Sequence, residues 1–533
     1  MRLGALPGPR AQLRRIAEDL ARGLNCVWVL PDRLVADGHA DHLYDDLLAS
    51  LPHPVSVPPP VPPPGPRPYD PPPPPAPPAA DPFAAADGVP LLGDYDDGLG
   101  AAWPGAAPVP SRAAEPVPAS VLVLPAQRPP VPACEPPSPL RRLAEAVAAP
   151  DGDAVGRLVA GSADRCPVVA VRGWREPVPA ETARLLRVLS AAVKEAGLPP
   201  ERRPRALLAV RLGDLPEALV DSLDASATAV HWWWSTLSRL DTAIVISEVR
   251  PPRAAEYPAR GTGAVRQRIA AALRRETIAE VSGPDLALAG ALAERWDGRL
   301  ATLADTVLEC VERLEGPDAP ALRTVPADRG ARAYGPDRPH GADGRCGTAH
   351  RAGHPAGSPS VGEPPPARPG AAVAAHPELA LRAAWTAGAV DSWEGQLRLH
   401  AAGWAAKPEE TLTKLVWQAQ NRVLLPLLDD ARARLAADLP TAAVHGPRRL
   451  AAAYGARRPP GVDGPAEAEG DPARRLAAME LGEMWAAVCR GEIRLDARAR
   501  RALRRLRQAR NRLAHRIPLD DEGLRGLCEA LVG

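Results

Sequence analysis

Cys26-Val27-Trp28-Val29-Leu30 is an unbroken apolar run between an amphipathic stretch at 10–22 (Leu13, Ile16, Leu20) and a second helical stretch near His42 to Leu51. Such a run predicts a strand buried on both faces. The pattern recurs at Val121-Leu122-Val123-Leu124, Val168-Val169-Ala170-Val171, Leu207-Leu208-Ala209-Val210 and Ala243-Ile244-Val245-Ile246. Helical segments fall between these runs at 140–148, 154–159, 181–196 and 216–223. Short apolar strands alternating with helices predict a parallel sheet covered on both sides. Residues 262–315, with Ile269, Leu273, Ile278, Val281 and then Leu286 to Trp296, read as a helical lid.

A chain of 533 residues is too long for one ordinary core and implies two to three folded units. Of its 67 prolines, 31 lie between Pro52 and Pro139, so 52–118 reads as a polyproline or disordered insertion that splits the α/β domain into 1–51 and 119–250. Residues 316–372 have no periodicity and read as a disordered linker. The remainder, 375–533, reads as all helix with a Gly/Pro-rich insert at about 456–471. The expected class is therefore multidomain, α/β followed by all-α.

Net charge is +1, so any basic surface has to be local. The seven cysteines are odd in number and never in C-x-x-C, which suggests neither a disulfide framework nor a zinc ribbon and fits a reducing cytoplasm. The N-terminus has no apolar signal region, and no apolar stretch reaches the roughly 20 residues of a membrane span. A cytoplasmic protein that does not engage a membrane is expected.

The local basic surface is at the end of the chain. Between Ala497 and Arg516 there are nine arginines and no acid, with Leu503, Leu506 and Leu513 forming a narrow apolar stripe for packing. An unopposed block of this kind suits a phosphate backbone. Within it stands Arg510-Asn511-Arg512-Leu513-Ala514-His515, on a helix expected to stop before Pro518. Asn511 and His515 are four apart and share a face, and Arg510 is one step round at about 100°. His515 is in the last helical turn, where the dipole favours imidazolium.

This Arg-x4-His unit with Asn after the Arg resembles the R-x4-6-H signature of HEPN domains, small all-helical bundles, many of them metal-independent endoribonucleases. The resemblance covers 375–533, less than a third of the chain. It implies catalytic roles for Arg510 on the scissile phosphate, Asn511 in orienting the site and His515 in proton transfer. Arg504, Arg507 and Arg512 are the expected RNA-binding residues. One motif supplies few groups, so the resemblance also implies a homodimer through this domain, with RNA as partner. Glu480 and Glu483 either support the cleft or are surface carboxylates pairing with arginines.

The N-terminal module resembles P-loop NTPases of the AAA and STAND type in element order. A P-loop needs G-x-x-x-x-G-K-[ST] so that backbone N–H groups and a Lys reach the phosphates. The segment Pro31 to Ala40 has one Gly and no Lys, and none of the three lysines follows a Gly. Cationic Arg172 stands where an acid would help hold Mg2+. A degenerate, non-hydrolysing sensor domain is the expectation, with no cofactor and no metal assigned. Asp37, His39, Asp41 and His42 read as a solvated cap rather than metal ligands. His231-Trp232-Trp233-Trp234 reads as packing before a strand. His340, Cys346, His350 and His354 have zinc-like spacing but no apolar surroundings.

A sensor joined to a HEPN nuclease resembles prokaryotic conflict systems, in phage defence or stress, with a companion sensor or effector protein as a further partner. Two other functions stay open: a non-catalytic adaptor with an inactive HEPN bundle, and an NTP-binding regulator.

Overall fold

The computed structural model describes residues 2–60, 137–149, 151–161, 166–216, 219–252, 262–315, 376–454 and 471–532. Its centre is a parallel sheet of β1 (Asn25–Leu30), β2 (Pro54–Ser56), β3 (Val168–Arg172), β4 (Arg205–Arg211) and β5 (Thr228–Trp232), in the order β2-β3-β4-β1-β5. Strands β1 and β4 are buried almost throughout, as their unbroken apolar runs require. Asn25 and Arg205 are the buried polar exceptions, and the Asn25 Oδ1 accepts the Ala206 N–H at 2.8 Å. Helices α1 (Pro7–Ala21), α3 (His39–Ser50), α4 (Pro139–Ala146), α5 (Ala154–Ala160) and α6 (Pro179–Glu195) contribute Ile16, Leu20, Leu43, Leu47, Leu143, Leu158, Leu185 and Leu189 to the same core. The short α2 (Asp32–Ala36) follows β1 directly, and α7 (Leu219–Ser222) precedes β5.

Three expectations about strands are corrected. Ala243-Ile244-Val245-Ile246 lies in a helix, α8 (Arg239–Glu248). Ser238 and Asp241 form a capping box at its start, and this local nucleus outweighs the β-branched preference of the run. The fifth strand is instead β5, so His231 and Trp232 are in the sheet rather than ahead of it. Finally, the proline-rich insertion does not begin at 52. Residues 54–56 form the edge strand β2, where Pro54 at the first position costs no ladder bond. The run Val121 to Leu124, most of the insertion, the 316–372 linker and the 456–470 segment lie outside the described residues.

Beyond the sheet come α9 (Thr262–Ser282), α10 (Leu286–Arg295) and α11 (Leu300–Glu315), then α12 (Leu379–Thr386), β6 (Val390–Trp393), β7 (Gln396–Leu399) and α13 (Glu409–Ala442). The chain ends with α14 (Pro447–Tyr454), α15 (Pro472–Ala477), α16 (Leu481–Cys489), α17 (Ala497–Ala514) and α18 (Asp521–Val532). The antiparallel pair β6-β7 corrects the all-helical reading of 375–533. Its two-residue turn, Glu394-Gly395, has positive φ at both positions (52° and 73°), as a tight hairpin turn demands.

All these elements belong to one compact unit, Met1–Pro59 with Ser138–Gly533. Trp385, Ala389 and Val390 join the core of the sheet, and Ala401, Trp404 and Leu415 pack with Ile278, Leu292 and Val307 of α9 to α11. A third core holds α17 through Leu503, Leu506, Ala509 and Leu513, against Leu424 and Leu428 of α13.

Candidate nucleic-acid interface

Helix α17 starts at Asp496, whose Oδ1 accepts the Ala499 N–H at 2.7 Å and answers one orphan donor of the first turn. The apolar stripe read from the sequence is buried, with Ala509 completing it. Arg504, Arg510, Asn511 and His515 are exposed on the outer face, and Arg507 and Arg512 are half-buried. Among the described residues, no side chain pairs with Arg504, Arg507, Arg510, Asn511 or His515. Arg512 is engaged locally: it donates to the Pro518 carbonyl at 2.8 Å and lies 3.6 Å from Asp520. Of the other arginines of the helix, Arg505 pairs with Glu529 of α18.

The helix ends in a reverse turn built around Arg516. The Ile517 N–H bonds the Arg512 carbonyl at 2.9 Å and the Arg516 N–H bonds the Leu513 carbonyl at 3.2 Å, the two bonds of a Schellman cap. Arg516 stands at φ +60°, a conformation usually left to glycine, with its guanidinium 5.6 Å from the Trp417 ring. Trp417 Nε1 donates to the Leu513 carbonyl at 2.7 Å. Thus α13 clamps the last turn and presents His515, the residue ahead of the turn, to solvent.

The two glutamates near this helix have a local duty. Glu480 caps α16, and the Glu483 carboxylate accepts the Glu480 N–H at 3.0 Å.

In the N-terminal module, Pro31 leads straight from β1 into α2, with no glycine-rich loop between them. Arg172, at the end of β3, is bound to Asp45, lies 3.6 Å from Asp41, and stands 4.7 Å above the Tyr44 ring. Asp41 also pairs with Arg175 at 3.0 Å, and Asp37 lies 3.7 Å from Arg33. These carboxylates face guanidinium groups. His340, Cys346, His350 and His354 lie outside the described residues.

One cluster was not legible in the sequence. Asp285, the N-cap of α10, meets His400 Nε2 at 2.9 Å; Glu315 lies 3.5 Å from the same nitrogen and pairs with Arg33 at 2.8 Å. Burial pushes the Asp285 carboxyl upward, but the hydrogen bond from His400 and the charge of Arg33 hold it down to about 2. Asp285, Glu315 and His400 are close enough to share a metal ion. However, His400 Nδ1 accepts the Ala402 N–H at 3.2 Å, which leaves the ring proton on Nε2, the nitrogen that faces the carboxylates. With Arg33 turned to Glu315 and His400 to Asp285, the group is a latch joining α2, α10, α11 and the end of β7.

Comparison with family models, with curated proteins and with solved structures finds no match for this chain. None of the described helices is long and apolar enough to cross a membrane.

Proposed function

We propose that this chain is a metal-independent endoribonuclease of HEPN type, whose cutting groups are Arg510, Asn511 and His515. The observation that carries this reading is their placement: all three are exposed on the outer face at the end of α17, with side chains that nothing among the described residues engages. A structural arginine or histidine at these positions would be expected to hold a carboxylate or a backbone carbonyl, as Arg505 and Arg512 do.

In the proposed reaction His515 takes the proton from a ribose 2'-OH, Arg510 balances the charge gathering on the phosphorus, and Asn511 orients the linkage. A second copy, paired through the same helix, supplies the acid for the departing 5'-oxygen. Arg504 and Arg507 hold the flanking backbone through charge alone. The α/β module acts as a non-hydrolysing regulator. Its support is the abrupt Pro31 turn after β1 and the commitment of Arg172 to Asp41 and Asp45.

Cleavage of total RNA by the purified chain in the presence of a chelator tests the reading. Cleavage by the native chain and a loss of at least about 100-fold in His515→Ala are expected, since general acid–base groups contribute about 10²–10⁴-fold. Equal cleavage by the two proteins, or none by either, removes the enzyme and leaves a binding module.

A further inference from the structure

A cavity of about 190 Å³ opens at the carboxyl ends of β1 and β5. From β1 the chain leaves for β2 at the far edge of the sheet, while β5 lies on the other side of β1. Crevices at such points of an α/β sheet are where ligands bind. The apolar wall includes Trp233, Leu286, Trp385 and Val390, drawn from the loop after β5, from α10, from α12 and from the hairpin. In size the cavity suits a single ring with a short arm.

Most of the charges around it are already answered. Arg33 pairs with Glu315 at 2.8 Å, Asp285 with His400 at 2.9 Å, and Arg398 with Glu280 at 2.6 Å. Asp391 is different. Its Oδ1 accepts the backbone N–H groups of Ser392 at 2.7 Å and Ser235 at 3.2 Å, and Ser235 is held at φ +57°. Among the described residues, no cation pairs with Asp391 and nothing donates to its Oδ2. Arg398 is directly opposite on β7 but is committed to Glu280. The result is a carboxylate fixed by two backbone donors beside a cavity walled by indoles, with one oxygen unused. Burial pushes this carboxyl up to about 7, against the pull of the two backbone bonds, as expected of an acid that lacks a counterion.

We propose that this cavity binds a small organic amine, its protonated nitrogen on Asp391 and its apolar body against Trp233 and Trp385. The carboxylate supplies a charge-assisted hydrogen bond and the indole faces add attraction for the cation. The site stands independently of the nuclease reading, because none of its groups lies on α17.

Thermal unfolding of the full chain at pH 8 with benzylamine or phenethylamine, beside benzyl alcohol and phenethyl alcohol, tests it. At about ten times Kd an amine is expected to raise Tm by about 1–2 °C. The alcohols at equal concentration leave Tm unchanged, Asp391→Asn abolishes the response, and the amine concentration for half effect falls as pH rises from 5 to 8. A flat response to both amines, equal shifts with the alcohols, or an undiminished response in Asp391→Asn overturns the proposal. Should Asp391→Asn fail to fold, the contrast between amine and alcohol on the native chain decides.

Discussion

The side-chain amide of Gln420 and the backbone of Leu519 bond each other twice: Gln420 Nε2 donates to the Leu519 carbonyl at 2.8 Å, and its Oε1 accepts the Leu519 N–H at 2.7 Å. Both residues are buried, so neither bond has water as a substitute. One turn earlier on α13, Trp417 holds the Leu513 carbonyl. The segment carrying His515 is therefore pinned on both sides by α13.

Gln420→Leu removes both partners of Leu519 and leaves two backbone groups buried without bonds. A loss of about 2–4 kcal/mol is expected, read as a lower urea midpoint with unchanged slope. On the proposed function, RNA binding falls with it, because the exit of α17 is no longer fixed.

Arg516→Gly relieves a left-handed conformation that costs a side-chain-bearing residue about 1–2 kcal/mol. The lost contact with Trp417, at 5.6 Å and exposed, offsets about 0.5 kcal/mol. A net gain of about 0.5–1.5 kcal/mol in thermal or urea unfolding is the expected result.

Glu280 is 1% exposed at its side chain and receives Arg398 and Arg239, which also flank the Trp393 ring at 5.0 Å and 4.5 Å. Glu280→Ala strands the buried Arg398 guanidinium, while Arg239 keeps Glu276, and is expected to cost about 3–5 kcal/mol. By contrast Glu18→Ala, which breaks an exposed pair with Arg14, should change the same unfolding curve by less than about 0.5 kcal/mol.

Asp391 and Asp285 give opposite pH dependences. Asp391 binds its proton more tightly when folded, so its contribution is complete below about pH 4 and is lost as pH rises through about 7. Asp285, held down to about 2, contributes above about pH 4 and loses that contribution as pH falls towards 2. Stability profiles of Asp391→Asn should lack the decline between pH 4 and 7, while Asp285→Asn should lack the acid limb.

If RNA lies along α17, Arg504→Ala and Arg507→Ala each weaken binding without regard to base sequence. Each also lowers the slope of log K against log salt by about 0.7 for a single strand. An unchanged slope in both variants would place the polynucleotide elsewhere.

The strands β1, β3 and β4 were legible because each is a run of apolar residues with no competing local signal. The stripe Leu503, Leu506 and Leu513 was legible because helical spacing states which face is buried. Where the structure departs from the apolar pattern, a short-range signal decides: the Ser238–Asp241 box makes α8 a helix, and Glu394-Gly395 turns β6 into β7. Asp391, Asp285, Glu315 and His400 carried no such signal, since each is an ordinary polar residue in its own neighbourhood.

What the chain's order of residues settled alone is local: the apolar runs of β1, β3 and β4, the buried stripe of α17, and the eight arginines without an acid on that helix. Period and charge run along the chain and need no partner to be seen. Tertiary structure alone decided which charges find each other. Arg398 could have met Asp391, its neighbour across the hairpin, but packing brought Glu280 within 2.6 Å and left Asp391 facing a cavity. Pairing depends on distance through space, and residues 118 positions apart acquire that distance only when the chain is folded.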